Sequence, residues 1–367
     1  MTAFPVVNSY NDWDPLEEVI VGSAFHLDYS NDVSFKLFFA QNRPSEPEPI
    51  RRTRFVTFGA EPTNRLRDEL LEDQEGFISL LEGEGVRVRR PEALTEVKVV
   101  QTPDWRAALG HALMSRDLFM IVGQEIIETA PMLRSRYFES HLYKELFTEY
   151  FNQGAKWTVA PHSRLLDRNF DYRHAVKVGY TGPLPDEEPF FEIMFDGPQV
   201  LRLGRDLVFN CSTENHRMGL RWLQRHLGDG FRVHEIGITD HHIDGLVVPL
   251  RPGMLLLHAK VDPDDLPKPL HKWDRIVYGA VDDPRGLDNA GLPLLASAAI
   301  GINVLSLDEE KVVVQDVQAP LIKELEKAGF TPMPCRWRHG RTVGGAFHCM
   351  TLDVRRRGTP EDYFGDS

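Results

Sequence analysis

A single α/β domain covering residues 1–367 is what the sequence predicts, and three observations predict it. Short apolar runs rich in β-branched residues, each closed by polar or Gly/Pro residues, recur from one end of the chain to the other. Stretches with apolar residues at helical spacing lie between them. Strand, strand and helix alternate along the whole length, and no literal repeat is visible.

In chain order, EVIVG (18–22) reads as a strand and RLRDELLEDQEGFISLLEG (65–83) as an amphipathic helix. LFMIVG (118–123), the apolar segment 200–203 and LVFN (207–210) are further strands. ENHRMGLRWLQRHL (214–227) is a second helix, followed by the strand LVVPL (246–250). INVLSLDEEKVVVQD (302–316) has the form of a hairpin, and APLIKELEKA (319–328) is a helix that Gly329 can cap. Two stretches break the pattern. Residues 23–62 are polar, proline-bearing and aperiodic, and 261–294 are rich in Pro, Asp and Gly; both read as long surface loops, of a length usually tied to function.

Composition narrows the function. A formal charge of −13 and a pI near 5.6 argue against nucleic-acid binding, and the run Arg355–Arg357 is too short to reverse that. No apolar stretch approaches the ~20 residues that span a bilayer. The N-terminus has neither secretory nor transit character, so the cytoplasm is the expected compartment. Cys211, Cys335 and Cys349 are an odd number with no CxxC pair, which indicates neither a disulfide framework nor a cysteine-rich zinc site.

Cys349 sits in GGAFHCMTLDVRRRG, after a glycine-rich approach and beside His348. Such a setting suits a thiol nucleophile, although cysteine is also a common buried core residue. In Asp240–His241–His242–Ile243–Asp244–Gly245, an extended backbone would put His242 and Asp244 on one face and His241 on the other, an arrangement for acid–base work rather than metal binding. Asp196 and Asp117 stand just before apolar strands, where acids are ordinarily turn residues or caps. Taken together, a thiol, an imidazole and paired carboxylates are what chemistry at a guanidinium carbon requires, because the planar cation is best held by carboxylates in bidentate geometry. Asp196, His242 and Cys349 are spaced as if each came from its own supersecondary unit, a hint of pseudosymmetry.

Longer stretches carry a resemblance. NSYNDWDPLEEVIVG (8–22), RDLFMIVGQEIIETAPMLRSRYFE (116–139), FDGPQVLRLGRDLVF (195–209), HIDGLVVPLRPG (242–253) and GGAFHCMTLDVRRRGT (344–359) resemble the amidinotransferases of the glycine and inosamine-phosphate type. The resemblance implies a five-bladed, pseudosymmetric α/β propeller of ββαβ modules, the pentein-like fold. It implies transfer of the amidino group of L-arginine to an acceptor amine through an amidino-cysteine, releasing ornithine and a guanidino product. The alternatives are a guanidine-modifying hydrolase on the same scaffold, or a donor other than arginine. By resemblance Cys349 is the nucleophile and His242 the acid–base group, Asp196 and Asp117 hold the guanidinium, Asp244 follows the histidine, and Ser297 lines the pocket. Family members also carry an arginine that grips the donor's α-carboxylate; here the matching stretch is LLHAKV (256–261), in which Lys260 is the nearest cation. The implied protein needs no cofactor or metal, takes small-molecule substrates rather than nucleic acid or membrane, and admits a homodimer. The glycines before Cys349 would make room for substrate, and the arginines after it would anchor the closing module.

Overall fold

The apolar strands of this chain lack the in–out alternation of a half-buried sheet because both of their faces are covered. A computed structural model describes residues 5–24, 32–39, 61–287 and 294–365, with helix side chains described from residue 64 onward. Strand β1 (Leu16–Val21) is followed by a short helix, α1 (Val33–Phe38), and a long one, α2 (Glu61–Gly83), and then by β2 (Arg87–Arg89), which pairs parallel to β1. A two-stranded ribbon, β3 (Val99–Gln101) and β4 (Arg106–Ala108), leads to the one-turn helix α3 (Ser115–Leu118).

From there a unit repeats. β5 (Phe119–Val122) and β6 (Glu125–Glu128) form an antiparallel hairpin, α4 (Lys144–Asn152) crosses over, and β7 (Lys156–Val159) pairs parallel to β6. β8 (Val200–Leu203), β9 (Asp206–Asn210), α5 (Glu214–Leu227) and β10 (Arg232–Ile236) do the same. β11 (Val247–Arg251), β12 (Met254–His258) and β13 (Asp274–Tyr278) pair in the same way without an α-helical crossover, and β14 (Leu305–Ser306), β15 (Lys311–Gln315), α6 (Ala319–Lys327) and β16 (Thr331–Cys335) repeat the full unit. The last strand, β17 (Thr351–Arg356), returns to pair antiparallel with β1. The fifth unit is thus completed by the two ends of the chain, and the five-bladed ββαβ propeller implied by the resemblance is the fold observed.

Residues that alternate along each strand pack against different neighbouring blades. Phe119 and Ile121 meet Ile20 and Leu352, whereas Met120 and Val122 meet Val200 and Phe209. Leu201 and Val208 meet Val247 and Leu255; Val248 and Leu256 meet Val312 and Val314; Val313 and Leu305 meet Val19 and Val21, which closes the circle. Each fully buried side chain of this kind contributes about 1.5–3 kcal/mol of transfer free energy. The third strand of each blade is partly exposed, so the first strand lies innermost.

Local signals explain the helices. α5 begins on Thr213, whose side chain accepts from His216 N, ends at Gly228 with φ of 63°, and buries His216, Gly219 and Leu223 on one stripe. α6 buries Leu321 and Leu325 and stops ahead of Gly329, at φ of 83°.

Three expectations are corrected. The stretch 261–294 contains the strand β13 and a one-turn helix at Pro284–Leu287; Pro263, Pro267 and Pro269 deny the crossover before β13 an α-helix and leave 3-10 turns instead. Within 23–62, α1 is a capped and largely buried helix and α2 already begins at Glu61; residues 25–31 and 40–60 lie outside the described residues. The segment 240–245 is a turn rather than a strand.

At the ring axis the Asp353 carboxylate accepts from Arg116 Nη2 at 2.8 Å, Arg202 Nη2 at 2.7 Å and Arg356 Nε at 2.8 Å, with Ser9 Oγ at 2.9 Å. Arg202 also pairs with Asp12, and the flanking Arg355 and Arg357 hold Glu17 near the surface. The expectation that the arginine run anchors the closing strand therefore holds in the structure. Asp353→Asn leaves three buried guanidinium groups short of charge and is expected to cost about 3–5 kcal/mol. Glu17→Gln, at the half-exposed rim, should cost less than about 1 kcal/mol. Urea midpoints of the two variants test the contrast, and equal losses would refute it.

Candidate active site

One or two polar side chains stand just ahead of the innermost strand of each blade, and the ring brings these five positions together. Asp117 precedes β5, Asp196 precedes β8, His242 and Asp244 precede β11, Asn303 precedes β14 and Cys349 precedes β17. Four of these positions are the acids, imidazole and thiol singled out from sequence. Asn303 was not among them, and its role comes from the blade symmetry alone.

His242 lies between two carboxylates. Its Nε2 is 3.0 Å from Asp196 Oδ2, and its Nδ1 is 3.8 Å from Asp117 Oδ1, too long for a hydrogen bond. Burial opposes the charged ring, yet Asp117 and Asp196 outweigh it and raise the His242 pKa to about 9. The second oxygen of Asp117 is taken by Arg136, a residue that gave no sequence signal. Burial raises the Asp117 pKa in spite of that guanidinium. Asp117 Oδ1 and Asp196 Oδ1 are buried without a hydrogen-bond partner among the described residues. Bidentate capture by either carboxylate, the geometry expected from sequence, is therefore replaced by one free oxygen from each.

The thiol belongs to a different carboxylate. Cys349 Sγ donates to Asp244 Oδ2 at 3.2 Å, and the same oxygen accepts from His348 Nδ1 at 2.7 Å and Asn303 Nδ2 at 2.9 Å. Asn303 Oδ1 in turn accepts from Cys349 N at 3.1 Å. Asp244 thus serves the cysteine directly, rather than pairing with His242 on one strand face, because the turn at 244–246 swings it away. Burial, Asp244 and Asp117 push the Cys349 thiol well above its ordinary pKa, so it is protonated when no cation is present. Cys211 and Cys335, buried elsewhere, are pushed up to about 12, mainly by burial.

His241 lines the same cavity but stacks on Phe38, with ring centroids 4.2 Å apart, and burial lowers its pKa to about 4. The two histidines differ in their partners, carboxylates for His242 and an aromatic ring for His241, but are not set on opposite faces as an extended backbone would place them. Gly345 is packed for the protein rather than for a substrate: a Cβ there would lie 2.5 Å from Met114 Sδ and 2.8 Å from Cys349 Cβ. Gly344 adopts φ of 80° on the cavity wall.

Asp117, His242, Asp244 and Cys349 face a cavity of about 550 Å³. Ser297 lines it while its Oγ caps the 3-10 turn at Ala298–Ile302, accepting from Ala299 N. Lys260 lines it as well, and its ammonium makes no ion pair among the described residues. Arg341 stands on the same wall, bound to Asp282 and to Ala296 O. Phe35 and Phe38 of α1 form another wall; Asp32 caps that helix, and Ser34 Oγ accepts from Arg134 N. Glu139, next to Arg136, is a buried carboxyl that burial raises to about 7. No cluster of His, Cys, Asp and Glu among the described residues is arranged to hold a metal.

The raised His242 pKa fixes a sign. Its imidazolium contributes stability that is fully present below about pH 6.5 and is lost as pH rises through about 9. Asp196→Asn removes one of the two anions that support the charge, so unfolding midpoints across that window should depend less steeply on pH than in the wild type. An unchanged slope would show that His242 is not charged.

No family model matches the chain. The sequence is 37% identical over 366 residues to the L-arginine:L-lysine amidinotransferase of Pseudomonas savastanoi pv. phaseolicola, across 97% of this chain and 96% of that protein. It is 33% identical over 374 residues to the mitochondrial glycine amidinotransferase of Gallus gallus, across 98% and 85%. Among solved structures, the inosamine-phosphate amidinotransferase of Streptomyces griseus superposes with a TM-score of 0.85 at 35% identity, covering 98% of this chain and 100% of that one. DDAH from Pseudomonas aeruginosa shares the fold, with a TM-score of 0.55 at 12% identity over 92% of this chain and 99% of that one. Such identity over nearly the full length, carried on a ring whose five blades converge on a thiol, an imidazole and three carboxylates, makes this chain a member of the amidinotransferase family.

Proposed function

We propose that this amidinotransferase takes the amidino group from L-arginine onto Cys349 and passes it to an acceptor amine. The observation that carries the reading is the pair of unsatisfied oxygens, Asp117 Oδ1 and Asp196 Oδ1, flanking a charged His242 beside the thiol. Buried acceptors without donors are costly, and a guanidinium supplies the donors and the charge they lack.

Arrival of the cation offsets the anions that keep the thiol protonated. Sγ then attacks the guanidino carbon, and the bond from that carbon to the ornithine nitrogen breaks. The leaving nitrogen gains one proton and the thiol loses one, so the half-reaction balances with His242 as carrier. Nδ1 is the ring nitrogen free to donate, since Nε2 is held by Asp196. An amidino-cysteine remains after ornithine departs. The acceptor enters as the neutral amine and attacks the amidino carbon; sulfur leaves and recovers its proton. Asp244 and Asn303 hold the sulfur in register throughout. The donor's α-carboxylate meets Lys260, with Arg341 behind it, in place of the arginine that relatives carry.

The reading treats the ring as one catalytic domain that acts on small molecules. Three free cysteines fit the reducing cytoplasm.

Arginine alone should add one amidino mass to Cys349 and release one equivalent of ornithine; further ornithine should require an amine. Cys349→Ala should abolish both, while Cys211→Ala and Cys335→Ala remain active. Steady ornithine release without any amine would instead make the protein a hydrolase. Lys260→Ala should lower kcat/KM for arginine about ten- to a hundredfold, chiefly through KM, and narrow the preference over agmatine, which lacks the carboxylate. A wild type that already prefers agmatine would exclude arginine as the donor.

A further inference from the structure

His348 is buried, is absent from the cavity wall, and aims both ring nitrogens at carboxylates. Nδ1 is 2.7 Å from Asp244 Oδ2, and Nε2 is 3.7 Å from Asp12 Oδ1. Its backbone carbonyl accepts from Arg116 Nε at 2.9 Å. Asp12 in turn is paired with Arg202 and lies 3.7 Å from Arg116 Nη1. A chain of contacts therefore runs from the axis cluster of Arg116, Arg202, Arg356 and Asp353 through Asp12, His348 and Asp244 to the sulfur of Cys349.

We infer that His348 is a positioning residue for the nucleophile: it ties the carboxylate beside the thiol to the charge cluster at the ring axis, and thereby sets the pH at which Cys349 ionises. The inference rests on Cys349 being the nucleophile. Three donors share Asp244 Oδ2, namely His348 Nδ1, Asn303 Nδ2 and Cys349 Sγ. The more strongly the first two donate, the less basic that oxygen is, and the more weakly it holds the thiol proton. In agreement, although burial works against it, the hydrogen bond and charge of His348 bring the Asp244 carboxyl below its ordinary pKa. The other charged groups that face Asp244 are His242 in its own segment and Asp117 of α3. Those around His348 are Asp12 from the N-terminal segment, with Arg116 and Arg202 beyond it. Without the His348 donor, Asp244 becomes the stronger acceptor and the thiol ionises later.

The test is alkylation of Cys349 by iodoacetamide, resolved by site with mass spectrometry, from about pH 6 to about pH 10. Wild type is compared with His348→Leu and His348→Phe, which carry no side-chain donor, and with His348→Asn, whose amide N–H takes the Nδ1 position. The Leu and Phe variants should carry the alkylation curve about one unit upward, which is about tenfold slower reaction on its acidic limb, while His348→Asn stays close to wild type. If one of the donorless variants does not fold, the other supplies the comparison. No change in the donorless variants, or a slowing in His348→Asn equal to theirs, would overturn the inference. Amidination of wild-type Cys349 by arginine is measured separately, so a failure of the amidinotransferase reading leaves the alkylation result standing on its own.

Discussion

The structure depends on one buried carboxylate. Asp353 draws Arg116 from the turn before β5, Arg202 from β8 and Arg356 from β17 onto two oxygens, so three blades are held at the centre by a single anion. A buried ion cluster of this kind contributes little net stability compared with apolar packing, but it is severe on any arrangement that leaves a member unpaired. The apolar faces between blades would tolerate small slips of one blade against the next. The axis cluster would not, because a one-residue slip of β17 would point Asp353 to the other face. Packing supplies the ring, and the cluster supplies its register.

Register matters because no element of the site is complete within one blade. Cys349 leans on Asn303 from the neighbouring blade and Asp244 from the one beyond, while His242 leans on Asp196 and Asp117 from two further blades. Each group sits on a short turn directly before a fully buried strand, so its position is inherited from the ring rather than from a mobile loop. Arg136 completes the arrangement by occupying one oxygen of Asp117. One unpartnered acceptor is then left on each of the two carboxylates that flank the imidazole.

Part of this was legible in the sequence and part was not. The helix at 214–227 is found with its observed bounds because its apolar residues recur at helical spacing, and the structure adds a capping threonine and a terminal glycine at those bounds. The inner strands are recognisable as continuous apolar runs, which two covered faces require. β13 escaped notice because it is an outer strand, partly exposed, behind a proline-rich crossover. The ring itself, and the roles of Cys349 and His242, were read through resemblance. Asn303, Arg136 and His348 stand in ordinary surroundings, and their partners are distant in the chain: Asp244 is 104 residues from His348, and Asn303 is 46 from Cys349. Closure of the ring creates those contacts, so local pattern holds no trace of them. The same cause misdirected the pairing of Asp244, which an extended backbone would have placed beside His242.

The electrostatics also explain how a cysteine can be both reactive and protected. With Asp244 and Asp117 close by, the thiol of the free protein is held neutral, and a neutral thiol is a poor target for oxidants and stray electrophiles. Only a cation placed against the two free oxygens relieves that field, and the cation that does so also carries the electrophilic carbon. Under the proposed mechanism recognition and activation would be one event, since a neutral molecule of similar shape would fill the cavity without releasing the proton. In the proposed mechanism, the amidino group left on sulfur is itself a cation, so the two oxygens would remain satisfied as ornithine leaves. The site then has no electrostatic need for a second positive charge, and it is the neutral amine, carrying the lone pair that attack requires, that this field admits.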